Sequence, residues 1–549
     1  MTEVTREGLE PLSTIGNSTN RIDAVERVTG EAKFTRDWKL PGMLFGRILR
    51  SPYPHARIVS IDTSEAARLP GVQAIITNED AQVVWGAGSV NGGRQYNDPT
   101  KQATLHRRYI FNNPVRFVGD SVAAVAATDR HIAEEALSLI EVEYEELPFV
   151  LEPEEALEDG APQIWPEGNL CPDFGGNIDP MISDVGDVDS GFNESDQIFE
   201  ERYETGFIHN AQMEPRCSLA SWEGDKLTLY TPSQGISNCR HDTARDLGLE
   251  DHQVRVIAKY MGGGFGNKNQ NQDADLVAAT LSRRSGAPVM LEFSRREDWL
   301  GVHGRWPTVQ YYKVGVKDDG TVTAMQMRAY SGMGPYRKNS GGISGMDAYA
   351  CPNRYREINP VYTNRTTSGN FRAPSEPHGF YGVESMMDEV AYKLGMDPVE
   401  FTLKNMRRPT EDRPFTNYSL DEVIETGARQ FNWQARRRVT PGSDEGPIKR
   451  GAGFSFMMFR SGLGTSSAIV RVNANEEYTL FVGVTDIGPG AKTTMGMIAA
   501  EALGVPLSQV EVVSGDTDRC PYSVGESGSR TTIMTGYAVV QAAENLKQQ

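Results

Sequence analysis

Apolar residues change period several times along the chain, and each change marks a predicted element. MLFGRILRS (43–51) and VQAIITNED (72–80) read as strands separated by polar turns, and VRFVGDSVAAVAAT (115–128) holds two more apolar runs around Gly119 and Asp120. In DRHIAEEALSLIEVEYEELP the helical spacing of Ile132, Ala136 and Leu137 gives way to the alternation of Ile140, Val142 and Tyr144. Residues 20–150 therefore predict a mixed α+β unit. Residues 151–200, rich in Pro, Gly, Asp and Asn, predict a surface connecting segment.

Residues 201–430 predict a longer second unit. LTLYTPSQ (227–234) ends a strand at a proline turn, VRVIAKYMGGGFGNK (254–268) ends another at a glycine loop, and DADLVAATLSRRSG is a helix closed by Gly286. Two alternating runs flank Asp318, Asp319 and Gly320, which is a hairpin signal. Val383, Met386, Met387, Val390, Ala391 and Leu394 make one apolar helix face, so the two methionines read as core. Beyond RRPTEDRPFTN, residues 431–549 repeat the theme: EEYTLFVGVTDIGPGAKTTMGMIAAEALGVP runs strand, glycine turn, helix, and VEVVSGDTD is the next strand. Two halves facing one ligand are expected.

Composition narrows the function. The chain has 549 residues, enough for several cores, and 55 Lys and Arg against 74 Asp and Glu give a net charge of -19. That balance argues against a nucleic-acid surface, whose affinity rests on neutralising phosphates. No apolar run reaches the eighteen or so residues of a membrane span, and the first residues lack a signal-peptide core, so a cytoplasmic chain without direct membrane insertion is expected. The five cysteines are widely spaced, and the eight histidines form no HExxH pair. A metal here needs ligands from something other than a protein cage.

Three constellations carry candidate chemistry. Gly262, Gly263, Gly264, Phe265, Gly266, Asn267 and Lys268 follow a strand and precede a helix, where backbone N–H groups can cradle an oxygen-rich ligand or simply make a tight turn. In GNFRAPSEP (369–377), Arg372 suits an oxygen that gains negative charge, or else a local bridge to Glu376. Gln234 in TPSQG can orient an oxo or hydroxyl group, or satisfy backbone. Gly488, Pro489, Gly490 and Thr493, with Ser529, Arg530 and Thr531, suit a phosphate or serve as caps and turns.

Taken together, VTGEAKFTRD, RSPYPHARI, NPVRFVGD, HNAQMEP, TPSQ, MGGGFGNK, GNFRAPSEP, DIGPGAKTT and GSRTT, in that order, closely resemble the large molybdopterin-binding subunit of the xanthine dehydrogenase and aldehyde oxidase family, the molybdenum hydroxylases. The resemblance implies an a/b hammerhead domain over 20–150, a first molybdopterin-binding domain over 201–430 and the N-terminal part of a second over 431–549. It implies a molybdenum–molybdopterin cofactor, in its cytosine dinucleotide form, with no direct protein ligand to the metal. By motif, Gln234 stands beside the apical oxo group, Gly264, Phe265 and Gly266 beside molybdenum, and Arg372 toward a polar substrate. Gly488, Gly490, Ser529, Arg530 and Thr531 face the cofactor, and Phe265, Asn269 and Arg372 the substrate. The implied reaction hydroxylates or dehydrogenates an aromatic, N-heterocyclic, aldehyde or cyclic ketone-type compound with water as oxygen source. Electrons would leave to an iron–sulfur partner subunit carrying 2Fe–2S clusters, with an FAD subunit as a further option.

Three departures stand against the pattern. Pro489 takes the place of a glutamine, which removes amide donors and a backbone N–H. Asn269 stands where purine-oxidising relatives carry glutamate. The sequence ends at Gln549, before the region of the family's general-base glutamate, so a separate chain completing the second molybdopterin domain is one expectation and loss of hydroxylation another. Glu526, in the cofactor loop, is a weak substitute for that base. Altered chemistry, such as hydration coupled to dehydrogenation, and a noncatalytic cofactor-binding or assembly subunit stay open beside the hydroxylase reading.

Overall fold

The computed structural model describes residues 12–80, 84–85, 108–172, 179–411, 414–415, 418–437 and 444–549. Its largest sheet has seven strands, in the order Val254–Ile257, Lys226–Tyr230, Cys217–Glu223, Val289–Glu292, Leu44–Arg50, Ser121–Ala127, Val72–Thr77. The parallel pairing of Leu44 with Val289 and Gly46 with Leu291 joins strands from the first and second predicted units into one sheet. SVAAVAA is buried along its whole length because both faces are covered. Ala124 and Ala126 pack with Leu276 and Val277 of the helix Asp273–Ser285. Their neighbours Ala123 and Val125, pointing the other way, meet Ala136 of the helix Arg130–Ser138.

A second sheet of five strands runs Met181–Val185, Asn353–Tyr362, Val322–Gly334, Thr308–Val316, Gln197–Thr205. The helix Glu376–Lys393 covers it with Val383, Met386, Met387 and Val390, so both methionines are core, as their spacing predicts. The α+β class expected from the sequence holds. The connecting segment 151–200 also contributes buried residues and strands. Ile164 and Cys171 are buried with Trp306, Met333, Val361 and Tyr362, Arg116 lies 3.8 Å over the Trp165 ring, and 181–185 and 197–200 pair into the five-stranded sheet. Long-range pairing orders these stretches, and local composition carries no trace of such pairing.

Four strands set the position of the site. Lys226–Tyr230 and Val254–Ile257 are parallel neighbours, and each leads through a loop into a helix, Ile236–Leu247 and Asp273–Ser285. Tyr478–Val482 and Val510–Val513 are likewise parallel, and the first leads through DIGPG into Ala491–Leu503. The two units join where the Ala258 amide donates to Gly515 O (2.8 Å) and Thr517 N to Val256 O (3.1 Å). Loops at the carboxyl ends of all four strands therefore converge, which is where open α/β sheets bind ligands. Among the described residues no helix is long and apolar enough to cross a membrane.

Candidate active site at the junction of the glycine loops

Gln234 is buried at the turn after its strand, and its amide spans two loops. Its Oε1 accepts from Gly266 N (2.8 Å) and Lys268 N (3.4 Å), and its Nε2 donates to Glu526 O (2.9 Å). The Glu526 amide returns a bond to Gln234 O (2.7 Å). A Cβ on Gly264 would lie 2.4 Å from Gln234 Oε1, so only glycine leaves room for this side chain. Phe265 has φ 53°, a conformation that L residues rarely adopt, and its ring is 37% exposed among glycines. It lines a surface and fills no core.

The GNFRAP loop docks on this first loop. The Arg372 amide donates to Phe265 O (2.9 Å), and Asn210 Nδ2 donates to both Phe265 O (3.0 Å) and Asn370 O (3.2 Å). The alternative, a local bridge to Glu376, does not form: Glu376 Oε2 accepts from Ser375 N (3.1 Å), and the Arg372 guanidinium is exposed without an ion pair among the described residues. What fixes the loop is Arg305, a residue without a motif to announce it. Its buried guanidinium donates to the carbonyls of Phe371, Arg372, Ala373 and Pro374 at 2.7–2.9 Å and stacks 4.9 Å over the Phe371 ring. Burial pulls its pKa down to about 10.

Two more buried cations hold the first loop from beneath. Lys268, fully buried, donates to Glu214 Oε2 (3.0 Å) and Glu214 O (2.9 Å), while Gly262 N donates to Glu214 Oε2 (2.9 Å). One ion pair thus ties both ends of the loop. Arg216 donates to Asn267 through Nε (2.9 Å, to Oδ1) and Nη2 (2.6 Å, to the backbone O). HNAQMEP supplies Asn210 and Glu214 for this scaffold, and Arg216 follows it directly.

The second glycine loop is built differently. Asp486 Oδ1 accepts from both Gly488 N (2.9 Å) and Gly490 N (3.1 Å), and Pro489 has no N–H, so these three residues direct no amide donor outward. Downstream, Glu526 is buried, and burial first, then the Asp486 charge, push its carboxyl well above the usual carboxylate range. Ser529 is exposed at φ 58°, Arg530 is buried with Nη1 donating to Leu463 O (2.9 Å), and Thr531 opens a short turn of π-helix, Thr531–Thr535. The structure brings Gln234, Gly264, Phe265, Gly266, Asn269 and Arg372 around one junction. Asn269 reaches the second unit through Nδ2, 3.5 Å from Ser527 Oγ.

A cofactor that carries its own metal ligands fits these residues. Asn269 Oδ1, Glu526 Oε1 and Arg530 Nε are buried polar atoms without a hydrogen-bond partner along the seam between the loops, and Gly488 has open space where a Cβ would stand. Among the described residues no group of three His, Cys, Asp or Glu side chains is placed to hold an ion. All five cysteines are free, four of them buried, and burial raises the Cys351 thiol to about 11.

Comparisons with known proteins identify the family. The aldehyde oxidase and xanthine dehydrogenase a/b hammerhead domain matches residues 29–148, and two molybdopterin cofactor-binding domain models match 173–406 and 426–549. The xanthine dehydrogenase molybdenum-binding subunit of Escherichia coli O157:H7 is 34% identical over 546 residues, covering 96% of this chain and 71% of the relative. The crystal structure of quinoline 2-oxidoreductase from Pseudomonas putida 86 superposes with a TM-score of 0.84 at 27% identity, over 98% of this chain and 71% of that one. Aldehyde oxidoreductase from Desulfovibrio gigas gives 0.85 at 28% identity, over 97% and 60%. The chain therefore belongs to the xanthine dehydrogenase and aldehyde oxidase family, whose molybdenum-cofactor subunits are oxidoreductases acting on organic substrates.

Proposed function

We propose that the junction of the two glycine loops is the active site of this oxidoreductase and that Gln234, Gly264, Phe265 and Gly266 border the metal end of a molybdopterin. Ser529, Arg530 and Thr531 hold its phosphate side, in the cytosine dinucleotide form. The observation that carries this reading is the Gln234 amide, which ties the first loop to Glu526 of the second unit at the carboxyl ends of the strands. When bound, the cofactor supplies the two-electron redox chemistry, with water as the oxygen source. Gly488 and Gly490 contribute shape there, since Asp486 already takes their amides.

The chain's own residues bind and orient the substrate. Arg372, held by its amide and carbonyl while its exposed guanidinium has no ion pair among the described residues, donates to a substrate oxygen as negative charge grows on it. The exposed Phe265 ring gives a planar surface for an aromatic, N-heterocyclic, aldehyde or cyclic ketone-type compound. Asn269 presents a neutral amide at that face, which weighs against a purine. Electrons leave to an iron–sulfur partner subunit and, where present, an FAD subunit. Molybdenum and pterin analysis of the purified complex tests the reading: about one equivalent of each, with cofactor content depressed in Gln234→Ala and intact in Arg372→Ala, is expected. A native complex without either, or a Gln234→Ala complex with native content and metal spectrum, overturns it.

A further inference from the structure

Residues 12–28 precede all three matched domains, yet they are fastened to the last of them. Glu501, on the helix Ala491–Leu503, accepts amide bonds from Ser13 (3.0 Å), Thr14 (2.7 Å) and Ile15 (3.0 Å). Further on, the Arg21 fork divides between three acceptors: Nη2 donates to Asp486 Oδ2 (2.8 Å), Nη1 to Gly488 O (2.7 Å) and Nε to Asp23 Oδ1 (3.0 Å). The Ile22 amide donates to Thr493 Oγ1 (3.2 Å). The short helix Ala24–Thr29 then reaches the other glycine loop, because Glu26 accepts from the hydroxyl of Tyr260 and Arg27 lies 5.3 Å over its ring, two residues before Gly262.

We propose that residues 12–28 form a strap that sets the shape of the 486–490 loop, with Arg21 a positioning residue acting through Asp486 on the cofactor side of the site. The proposal rests on the function proposed above. Gly488 at φ 128° and Gly490 at φ 94° occupy conformations that an unrestrained chain visits only in part, so something must select them. Asp486 does so by accepting from both amides, but its carboxylate is almost wholly buried and its neighbour Glu526 is another carboxyl. Arg21 supplies the compensating charge and, by binding Gly488 O as well, holds the loop from both polar sides. Arg21 acts through Asp486 and the Gly488 carbonyl, so its effect is transmitted by the loop.

Hydrogen exchange and cofactor retention in the purified full-chain complex test the strap. Arg21→Ala is expected to raise exchange at the Gly488 and Gly490 amides about tenfold and to speed loss of pterin and molybdenum on gel filtration, with amides of 121–127 unchanged. Arg21→Lys, which can reach one acceptor at a time, is expected to restore part of both. Native exchange at 488 and 490 in Arg21→Ala overturns the proposal, and so does a loosened loop with native cofactor retention. If Arg21→Ala does not fold, Arg21→Lys decides by itself: about a threefold rise supports the strap and no rise overturns it. A native complex free of pterin removes the function proposed above, while exchange at 488 and 490 still decides whether the strap sets the loop.

Discussion

The two glycine loops share a strand–loop–helix setting and differ in where their polar groups go. In 262–268 the loop is gripped from outside, by Gln234, the Glu214–Lys268 pair and Arg216, and its apex pushes Phe265 outward at a positive φ. In 486–490 the loop closes on itself, with Asp486 taking the amides of Gly488 and Gly490 and Arg21 closing the ring. Clustered glycine after a strand therefore does not by itself make an anion cradle. The first loop is a platform that presents a side chain, and the second is a wall whose donors are already used.

Five substitutions test this contrast, in order of decreasing effect. Lys268→Met leaves the Glu214 carboxylate buried without its cation, and chemical denaturation is expected to show a loss of about 3–5 kcal/mol. Gly264→Ala and Gly490→Ala separate the two loops directly. The first puts a Cβ 2.4 Å from Gln234 Oε1 and is expected to lower turnover about 100-fold, as small misplacements at a reacting centre do. The second meets nothing nearer than 3.9 Å, so backbone strain alone, about 1–2 kcal/mol, is expected in its unfolding midpoint. Equal effects of the two on turnover would erase the distinction.

Arg372→Ala is expected to lower turnover about tenfold or more while stability stays within about 0.5 kcal/mol, because the side chain is exposed and has no ion pair among the described residues. Near-native turnover at full cofactor content would remove its role. The smallest effect concerns Glu526. Its carboxyl is raised in the folded state, so the fold binds the proton more tightly than the unfolded chain does. The stability this contributes is complete below the unfolded value of about 4.3 and is lost as pH rises through the folded value. Glu526→Gln cannot ionise, so its melting temperature relative to the native protein is expected to climb as pH rises from about 4.3 through the folded value. A difference that stays constant across that range would show that Glu526 does not titrate as described.

The strands, the helix from 273 to 285 with its αL cap at Gly286, and the glycine loops were legible because periodicity and punctuation are local signals. The scaffold of the site was not. Arg305 binds carbonyls 66 to 69 residues away, Lys268 meets Glu214 across 54, and Arg216 meets Asn267 across 51. A lone arginine in GRWP or a glutamate in HNAQMEP has no spacing that forecasts such partners. The same holds for Asp486: DIGPG reads as a donor-rich turn until the structure shows the aspartate taking the amides for itself.

Hydrogen exchange of the cofactor-loaded complex against the same complex stripped of cofactor separates the two loops. The expectation is that slowing is strongest at the amides around Gln234, the 262–268 loop, 369–373 and 525–531, and smaller at Gly488 and Gly490, whose amides Asp486 already holds. Unchanged exchange in the 262–268 loop, or protection centred on 488–490, would contradict it.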